Sequence, residues 1–210
     1  MSGVRKINQK DVVDTCVKII RKDGLDGINA RRVAKEIGCS TQPIYYIYKN
    51  IDEMKKDALN KITEDFYKAI LARNYDRAVY KDIGTNFIKF AKKDPELFKI
   101  LFNSGRNEVA ENFVNLTGPA ECILELITNQ LSISDEDARI MHKKMNITLT
   151  GMANLVANNM IEYDQEKIDQ DLAEIFVAEL LFEQKRGNVS QELVDQIMNI
   201  KLNQFDPNKK

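Results

Sequence analysis

The sequence predicts an all-α chain, and three observations carry that expectation. Only nine glycines and four prolines interrupt 210 residues, which leaves long segments between breakers. Within those segments apolar residues recur at i, i+3, i+4 and i+7, with no strand-like alternation of any length. Asn8, Asn50 and Ser134 each stand before such a run with an acid three residues on, a helix-start pattern.

The elements follow in order. Asn8 caps the first helix, Asp11 favours its first turn, and Ile7 can staple onto Val12. Val13, Cys16, Val17 and Ile20 form its expected inner face, and Gly24 ends it. After the loop LDGI, Asn29 caps a short second helix with Val33, Ala34 and Ile37 inside, closed by Gly38. Ser40 is the expected cap of a third, with Pro43 tolerated in its first turn. Asn50 and Glu53 open a long fourth helix whose stripe is Met54, Ala58, Ile62, Phe66 and Ala69.

Beyond Tyr75 a bundle pattern follows. One helix carries Ile83, Phe87 and Phe90. Another opens at Asp94 and Pro95 and carries Leu97, Phe98, Leu101 and Phe102. A short one with Val109 and Phe113 is expected to stop at Gly118. The segment from Pro119 to Leu131 carries Ile123, Leu126 and Ile127, and Ser134 with Asp137 caps a long helix reaching about Met160. Asp164 opens a helix with Ile168, Leu172, Ile175, Phe176 and Leu180, ended by Gly187. Ser190 caps the last, with Val194, Ile197 and Met198 inside, before a frayed DPNKK tail.

Composition narrows the function. With 43% hydrophobic and 30% charged residues the chain can bury a core. The longest charge-free stretch, Met145 to Ile161, holds six Asn and Thr residues, too polar for a membrane span. The N-terminal MSGVRKINQKDVVD lacks a signal-peptide apolar run, so a cytoplasmic chain is expected. Cys16, Cys39 and Cys122 are odd in number and scattered, fitting reduced structural thiols and neither a disulfide framework nor a metal site. The net charge of −1 hides an asymmetry: residues 1–50 carry +5 and the remaining 160 carry −6, a basic head on an acidic body.

No enzyme is expected and no cofactor. His142, the only histidine, lies in HKK with no identifiable Ser or Asp partner and reads as a surface or semi-buried polar residue. There is no phosphate-cradling glycine loop, and Asp135, Glu136 and Asp137 sit where a helix start favours negative charge.

Residues 30–48 have the spacing of a helix-turn-helix: Ala34 is the small residue at the crossing, Gly38 the turn, and Val33, Ile37, Cys39, Ile44 and Ile47 take inward positions. With Ile44 and Ile47 inside, Thr41, Gln42, Tyr45, Tyr46 and Lys49 are left on outward or flanking faces, and Tyr48 packs toward the fourth helix. Gln42 can pair with adenine N6 and N7, and Thr41 can touch a base edge or thymine methyl. Tyrosine hydroxyls and Lys49 suit phosphate oxygens of double-stranded DNA. A non-catalytic helical module that binds another protein is the alternative.

From Val12 to about Leu59, VVDTCVKIIRKDGLDGINARRVAKEIGCS followed by IYYIYKNIDEM resembles the tetracycline-repressor (TetR) family of bacterial transcription regulators. That resemblance implies an N-terminal three-helix DNA-binding domain, residues 1–52, joined by a long helix to a C-terminal bundle, residues 53–210, for dimerisation and ligand binding. It places Arg31, Thr41, Gln42, Tyr45, Tyr46 and Lys49 at or near DNA. Two positions depart: Ile47 stands where a histidine is common, and Ile51 where a phosphate-touching lysine is common, a loss Lys49 or Lys55 can offset. PELFKILF, from Pro95 to Phe102, resembles a frequent C-terminal-domain segment. TLTGMANL, from Thr148 to Leu155, is similar to a helix with a Trp-His-Gly signature of which only Gly151 is present.

The charge-free helix is expected to be surrounded on most sides. One reading makes it a subunit interface, with Gly151, Leu155, Leu172, Ile175, Phe176 and Phe182 completing a four-helix contact across a two-fold axis. Another makes it a pocket wall: Phe87, Phe90, Phe98, Phe102, Met141, Met145 and Met152 around an effector, anchored by Thr148 or Asn146. A plain core helix in a monomer is the third. The family likeness implies a homodimeric, ligand-responsive repressor whose effector misplaces heads otherwise about 34 Å, or a multiple of that, apart. The fourth helix is expected to transmit this as a tilt.

Overall fold

The structure, a computed structural model, describes residues 7–72, 79–105, 108–162, 164–195 and 198. Among these, ten helices form and no strand: α1 (Gln9–Asp23), α2 (Ala30–Ile37), α3 (Gln42–Ile47), α4 (Ile51–Ile70), α5 (Val79–Lys93), α6 (Pro95–Phe102), α7 (Glu108–Asn115), α8 (Glu121–Leu131), α9 (Asp135–Ala157) and α10 (Gln165–Lys185). Residues 191–195 are again helical. Ile197 and the DPNKK tail lie outside the described residues.

Most helix starts are where local chemistry puts them. Asn8 and Asp11 close a full capping box on α1, and Asn29, Asn50, Ser134 and Asp164 accept first-turn N–H groups of α2, α4, α9 and α10. Helix α3 departs from expectation: its cap position is Thr41, not Ser40, and no side chain caps it. The reason is local. The second helical residue is Pro43, which has no N–H, and the Ile44 amide is already held by the Thr41 carbonyl at 3.1 Å.

Two ends differ from expectation as well. Helix α7 stops at Asn115, before Gly118, because Leu116 turns left-handed (φ 52°) and Arg139 of α9 donates to the carbonyls of Asn115 and Leu116. Helix α9 stops at Ala157, short of Met160, where Asn159 is left-handed (φ 52°) and the Met160 amide returns to the Leu155 carbonyl. The segment LDGI contains a 3-10 turn, Leu25–Gly27.

Helix α1 packs on α4, and α4 runs on to pack against α5. The buried face of α1 is Val12, Cys16, Val17, Ile19 and Ile20; Val13, expected inside, is only half-buried. Burial pushes the Cys16 thiol up to about 12, an inert core thiol. Met54, Ala58, Ile62 and Phe66 of α4 are all fully or nearly fully buried, while Ala69 is half-buried. Phe66 is the centre of an aromatic cluster, with ring centroids 5.3 Å from Phe90, 5.1 Å from Phe102, 5.7 Å from Phe113 and 6.0 Å from Phe87. Edge-to-face pairs of this kind add to the area they bury. Helix α5 lies between α4, α9 and α10, and Gly84 lets Leu172 of α10 close in, since a Cβ there would meet its Cδ1 at 3.3 Å.

The charge-free segment is not surrounded. Met145, Asn146, Leu149, Ala153, Val156 and Ala157 are buried, whereas Ile147 is 72% and Leu155 38% exposed, and Gly151 lies open on the same side. A stretch without charges fixes what a helix can bury, and here one flank is left uncovered within the single chain.

Candidate nucleic-acid interface

The sequence from Ala30 to Tyr48 folds as two short helices around Gly38. That glycine has φ 83°, a left-handed conformation few side chains adopt, and both its own amide and that of Cys39 return to the Ala34 carbonyl at 2.9 Å. The chain thereby reverses between α2 and α3 within four residues. Ile44 is buried, and Ile37, Cys39 and Ile47 pack half-buried against the core, as the spacing requires. Tyr48 ends α3 facing inward, its hydroxyl donating to Asp57 of α4 at 2.8 Å.

What remains outside is the predicted set. Tyr46 is 93% exposed and Tyr45 58%; Gln42, Lys49 and Arg31 are exposed, and Thr41 is half-buried at the start of α3. Two tyrosines this exposed on so short a helix bury little for the fold, Tyr46 least of all. They offer stacking area and hydroxyl donors to something outside the chain. The structure therefore brings Thr41, Gln42, Tyr45, Tyr46 and Lys49 together on and beside α3, with Arg31 on the first turn of α2.

The neighbouring charges divide into used and available. Arg32 is held by Asp23 at 2.5 Å and reaches Glu36 at 3.7 Å. Lys55 lies 4.0 Å from Asp26, so it has a local partner in the place where the missing lysine at position 51 would need offsetting. Ile51 itself is 37% exposed at the first position of α4. The Glu53 carboxylate accepts the Lys49 backbone amide at 3.1 Å, which occupies part of that helix start with the chain's own negative charge. The Lys49 ammonium, by contrast, is exposed beside α3.

Sequence reasoning missed the clamp beneath this surface. Asp57 Oδ2 accepts both Tyr48 Oη and Gln9 Nε2, the latter at 2.6 Å, joining α1, the end of α3 and α4 through one oxygen. Nothing in the local pattern around Asp57 distinguishes it from an ordinary exposed-face acid.

In the body, the two residue sets separate differently from expectation. Of the interface set, Gly151, Leu155 and Phe182 face outward, Phe182 being 53% exposed; Ile175 and Phe176 are half-buried and Leu172 is buried against α5. Ile147 and Leu181, both exposed, join the outward group and were not singled out, although Ile147, Gly151 and Leu155 stand at i, i+4 and i+8. Beside them a groove of about 1100 Å³ runs between α9 and α10, lined by Thr148, Met152, Leu155, Ile168 and Ile175. Lys144 sits 4.5 Å over the Phe182 ring and bonds Glu179 and the buried Glu183, each at 3.1 Å. Burial would raise the Glu183 carboxyl, but Asn188 and Lys144 together outweigh it and hold it below its ordinary value.

The pocket set does not gather in one place. Phe87, Phe98 and Met141 are fully buried, Phe90 and Met145 nearly so, and Phe102 half-buried; Phe87, Phe90, Phe98 and Phe102 make ring contacts within the Phe66 cluster. Thr148 and Met152 line the α9–α10 groove instead. Asn146 is 4% exposed; its Oδ1 accepts from Thr150 at 2.9 Å and its Nδ2 has no partner. His142 is fully buried, deeper than the surface or semi-buried position expected, with Nε2 2.8 Å from the Phe113 carbonyl and its ring edge-on to Phe113. Burial lowers its pKa to about 4, partly countered by that carbonyl, so the imidazole is neutral at pH 7.

Among the described residues no three His, Cys, Asp or Glu side chains are placed to hold a metal ion, and no helix is long and apolar enough to cross a membrane. No protein-family model and no curated protein sequence matches the chain. Solved structures do match it in three dimensions. A tetR-family transcriptional regulator from Streptomyces coelicolor superposes with a TM-score of 0.69 at 13% identity, over 91% of this chain and 88% of that one. A TetR variant from Acinetobacter baumannii AYE in complex with minocycline gives 0.56 at 14% identity, over 86% and 99%. The multidrug binding protein EbrR, complexed with proflavin, gives 0.53 at 16% identity, over 80% and 98%. The chain has the all-α fold of these regulators.

Proposed function

We propose that the chain is a sequence-specific DNA-binding transcriptional regulator, a cytoplasmic homodimer that represses its target until a small molecule releases it. The observation that carries this reading is the outer face of α3: Tyr46 at 93% and Tyr45 at 58% exposure beside Gln42 and Lys49, on the second helix of a helix-turn-helix whose inner face packs against the core through buried Ile44 and half-buried Ile47. Residues 1–52 form the DNA-binding head in this reading and residues 53–210 the body. Gln42 reads a base edge, Thr41 flanks it, and Tyr45, Tyr46, Lys49 and Arg31 set the register on the backbone.

Paired heads require two chains, and the uncovered apolar stripe Ile147, Gly151 and Leu155 with Leu181 and Phe182 is the surface we assign to the partner copy. That the neighbours EbrR and TetR carry proflavin and minocycline supports an effector for this fold. In the body, the unpartnered Nδ2 of buried Asn146 is the polar anchor we favour. About 1 to 3 kcal/mol of coupling between effector and head would change operator affinity roughly 5- to 150-fold.

The test is a titration of the purified protein with DNA from upstream of its own gene at several salt concentrations, beside a Tyr45→Ala/Tyr46→Ala variant. Selective binding that weakens steeply with salt and is lost in the variant is expected. Salt-insensitive capture of a protein, with no selective DNA binding, would turn the reading to a helical interaction module.

A further inference from the structure

Helices α3 and α6 both have a polar residue in the cap position that makes no cap bond, and of the two only α6 has a carboxylate there. Asn8, Asn29, Asn50, Ser134 and Asp164 each accept a first-turn N–H on the side chain. Asp94 stands in the same place before α6 and carries one of the best capping side chains, yet it makes no cap bond. Its ψ of 63° is far from the 157° to 172° of Asn8, Asn29 and Asn50. Pro95 has no N–H to offer, so Glu96 and Leu97 are the amides this cap would serve.

The carboxylate goes elsewhere. Arg21, in the last turn of α1, donates to it through Nε at 2.7 Å and Nη2 at 3.4 Å, taking both oxygens. Asp94 is 12% exposed there and Arg21 45%, so the acid is held inside while the arginine reaches to it from the surface. The two residues stand 73 apart in sequence. At its other end α6 is tied to α9, where Asn103 donates to Asn154 Oδ1 at 2.6 Å. Leu97, Phe98 and Leu101 bury the face between the two ties.

We propose that Asp94 is a two-position switch between head and body: paired with Arg21 it ties α1 to α6, and freed by a shift of α6 it turns back to cap its own helix. With Asp94 at ψ 63° the paired carboxylate makes no cap bond, and capping requires it to swing toward the extended ψ of the caps that do bond, so the two positions are alternatives. A capping bond and a partly exposed ion pair are of comparable, modest strength, so neither position is locked. A small displacement of α6 then selects between them. The tie to Asn154 makes α9 a source of that displacement. The consequence for DNA binding rests on the regulator reading; the exchange of partners by Asp94 does not.

Hydrogen exchange of the full chain tests it, comparing wild type, Arg21→Gln and Asp94→Ala. In Arg21→Gln the freed carboxylate caps α6, and the Glu96 and Leu97 amides exchange several-fold more slowly than in wild type. Asp94→Ala shows no such slowing, and the double variant behaves as Asp94→Ala. Unchanged or faster exchange at Glu96 and Leu97 in Arg21→Gln overturns the switch, because the carboxylate then never reaches the cap. The DNA titration of the same wild-type protein is read separately. Slowed exchange with no DNA binding leaves the switch and removes the regulator reading, and DNA binding without slowed exchange does the reverse.

Discussion

The hydroxyl of Tyr48 donates to Asp57 Oδ2 at 2.8 Å, and that oxygen also accepts from Gln9 Nε2. The last residue before the α3–α4 connection is thus pinned to α4, and α4 in turn to the start of α1. The orientation of α3, and with it of Tyr45 and Tyr46, depends on this shared oxygen as well as on Ile44 beneath.

Tyr48→Phe keeps the ring in its buried site and removes only the hydroxyl. The lost bond should destabilise the fold by about 0.5–1.5 kcal/mol, measured as a lower urea midpoint at unchanged slope. If the clamp orients α3, selective DNA affinity should fall by more than the small change in folded fraction accounts for. A variant with wild-type affinity and the lowered midpoint would make Tyr48 purely a stabilising residue.

Gln42 and Lys49 should respond differently because they face different chemistry. Gln42→Ala is expected to relax base preference more than it weakens nonspecific binding, since a bidentate amide–adenine contact discriminates by about 1–3 kcal/mol. Lys49→Ala is expected to weaken all sequences alike and to flatten the salt dependence by about one unit of slope. Competition titrations with operator and scrambled DNA at several salt concentrations separate the two. Uniform loss in Gln42→Ala would count against base readout, and an unchanged slope in Lys49→Ala would remove it from the phosphates.

What could be read from sequence alone follows the range of the interactions. The caps at Asn8, Asn29, Asn50, Ser134 and Asp164 were legible because each bond spans two or three residues. The turn at Gly38 and the inward Ile44 were legible for the same reason. Arg21 with Asp94, Arg139 on the end of α7, and Tyr48 with Asp57 join residues brought together only by packing, and no local pattern announces them. His142 was misplaced because its flanking lysines suggest a wet face, whereas Lys143 lies a hundred degrees around the helix from it and is exposed while His142 is buried. The absence of charge from Met145 to Ile161 identified a helix with apolar surface to cover. It carried no information on which flank the rest of the chain would leave open.

His142 gives stability a pH dependence of known sign. Its folded pKa of about 4 lies below the ordinary value of 6.5, so the unfolded chain binds the proton more readily. Stability from this group is therefore fully present above pH 6.5 and is lost as pH falls toward 4, by at most about 3 kcal/mol across the window. Urea unfolding of wild type should weaken steadily from pH 7 to pH 5, above the range in which most carboxylates titrate. His142→Gln, with nothing to protonate there, should flatten that interval even if it lowers stability throughout. Parallel pH profiles for the two proteins would mean the imidazole is not the group responsible.

The exposed stripe on α9 bears on the proposed dimer most directly. Ile147 is 72% exposed, Gly151 is open beyond it, and Leu155 follows one further turn along. Around a two-fold axis such a stripe meets its own copy, so a charge placed on it is placed twice and opposite itself. Ile147→Glu/Leu155→Glu should therefore sediment as a monomer while keeping the helical circular-dichroism signal and melting of a folded chain, because neither side chain belongs to the core of the single chain. Selective DNA binding should fall with it, since one head contacts only half a site. A variant that remains dimeric would move the interface elsewhere on the body and leave Ile147 needing another partner.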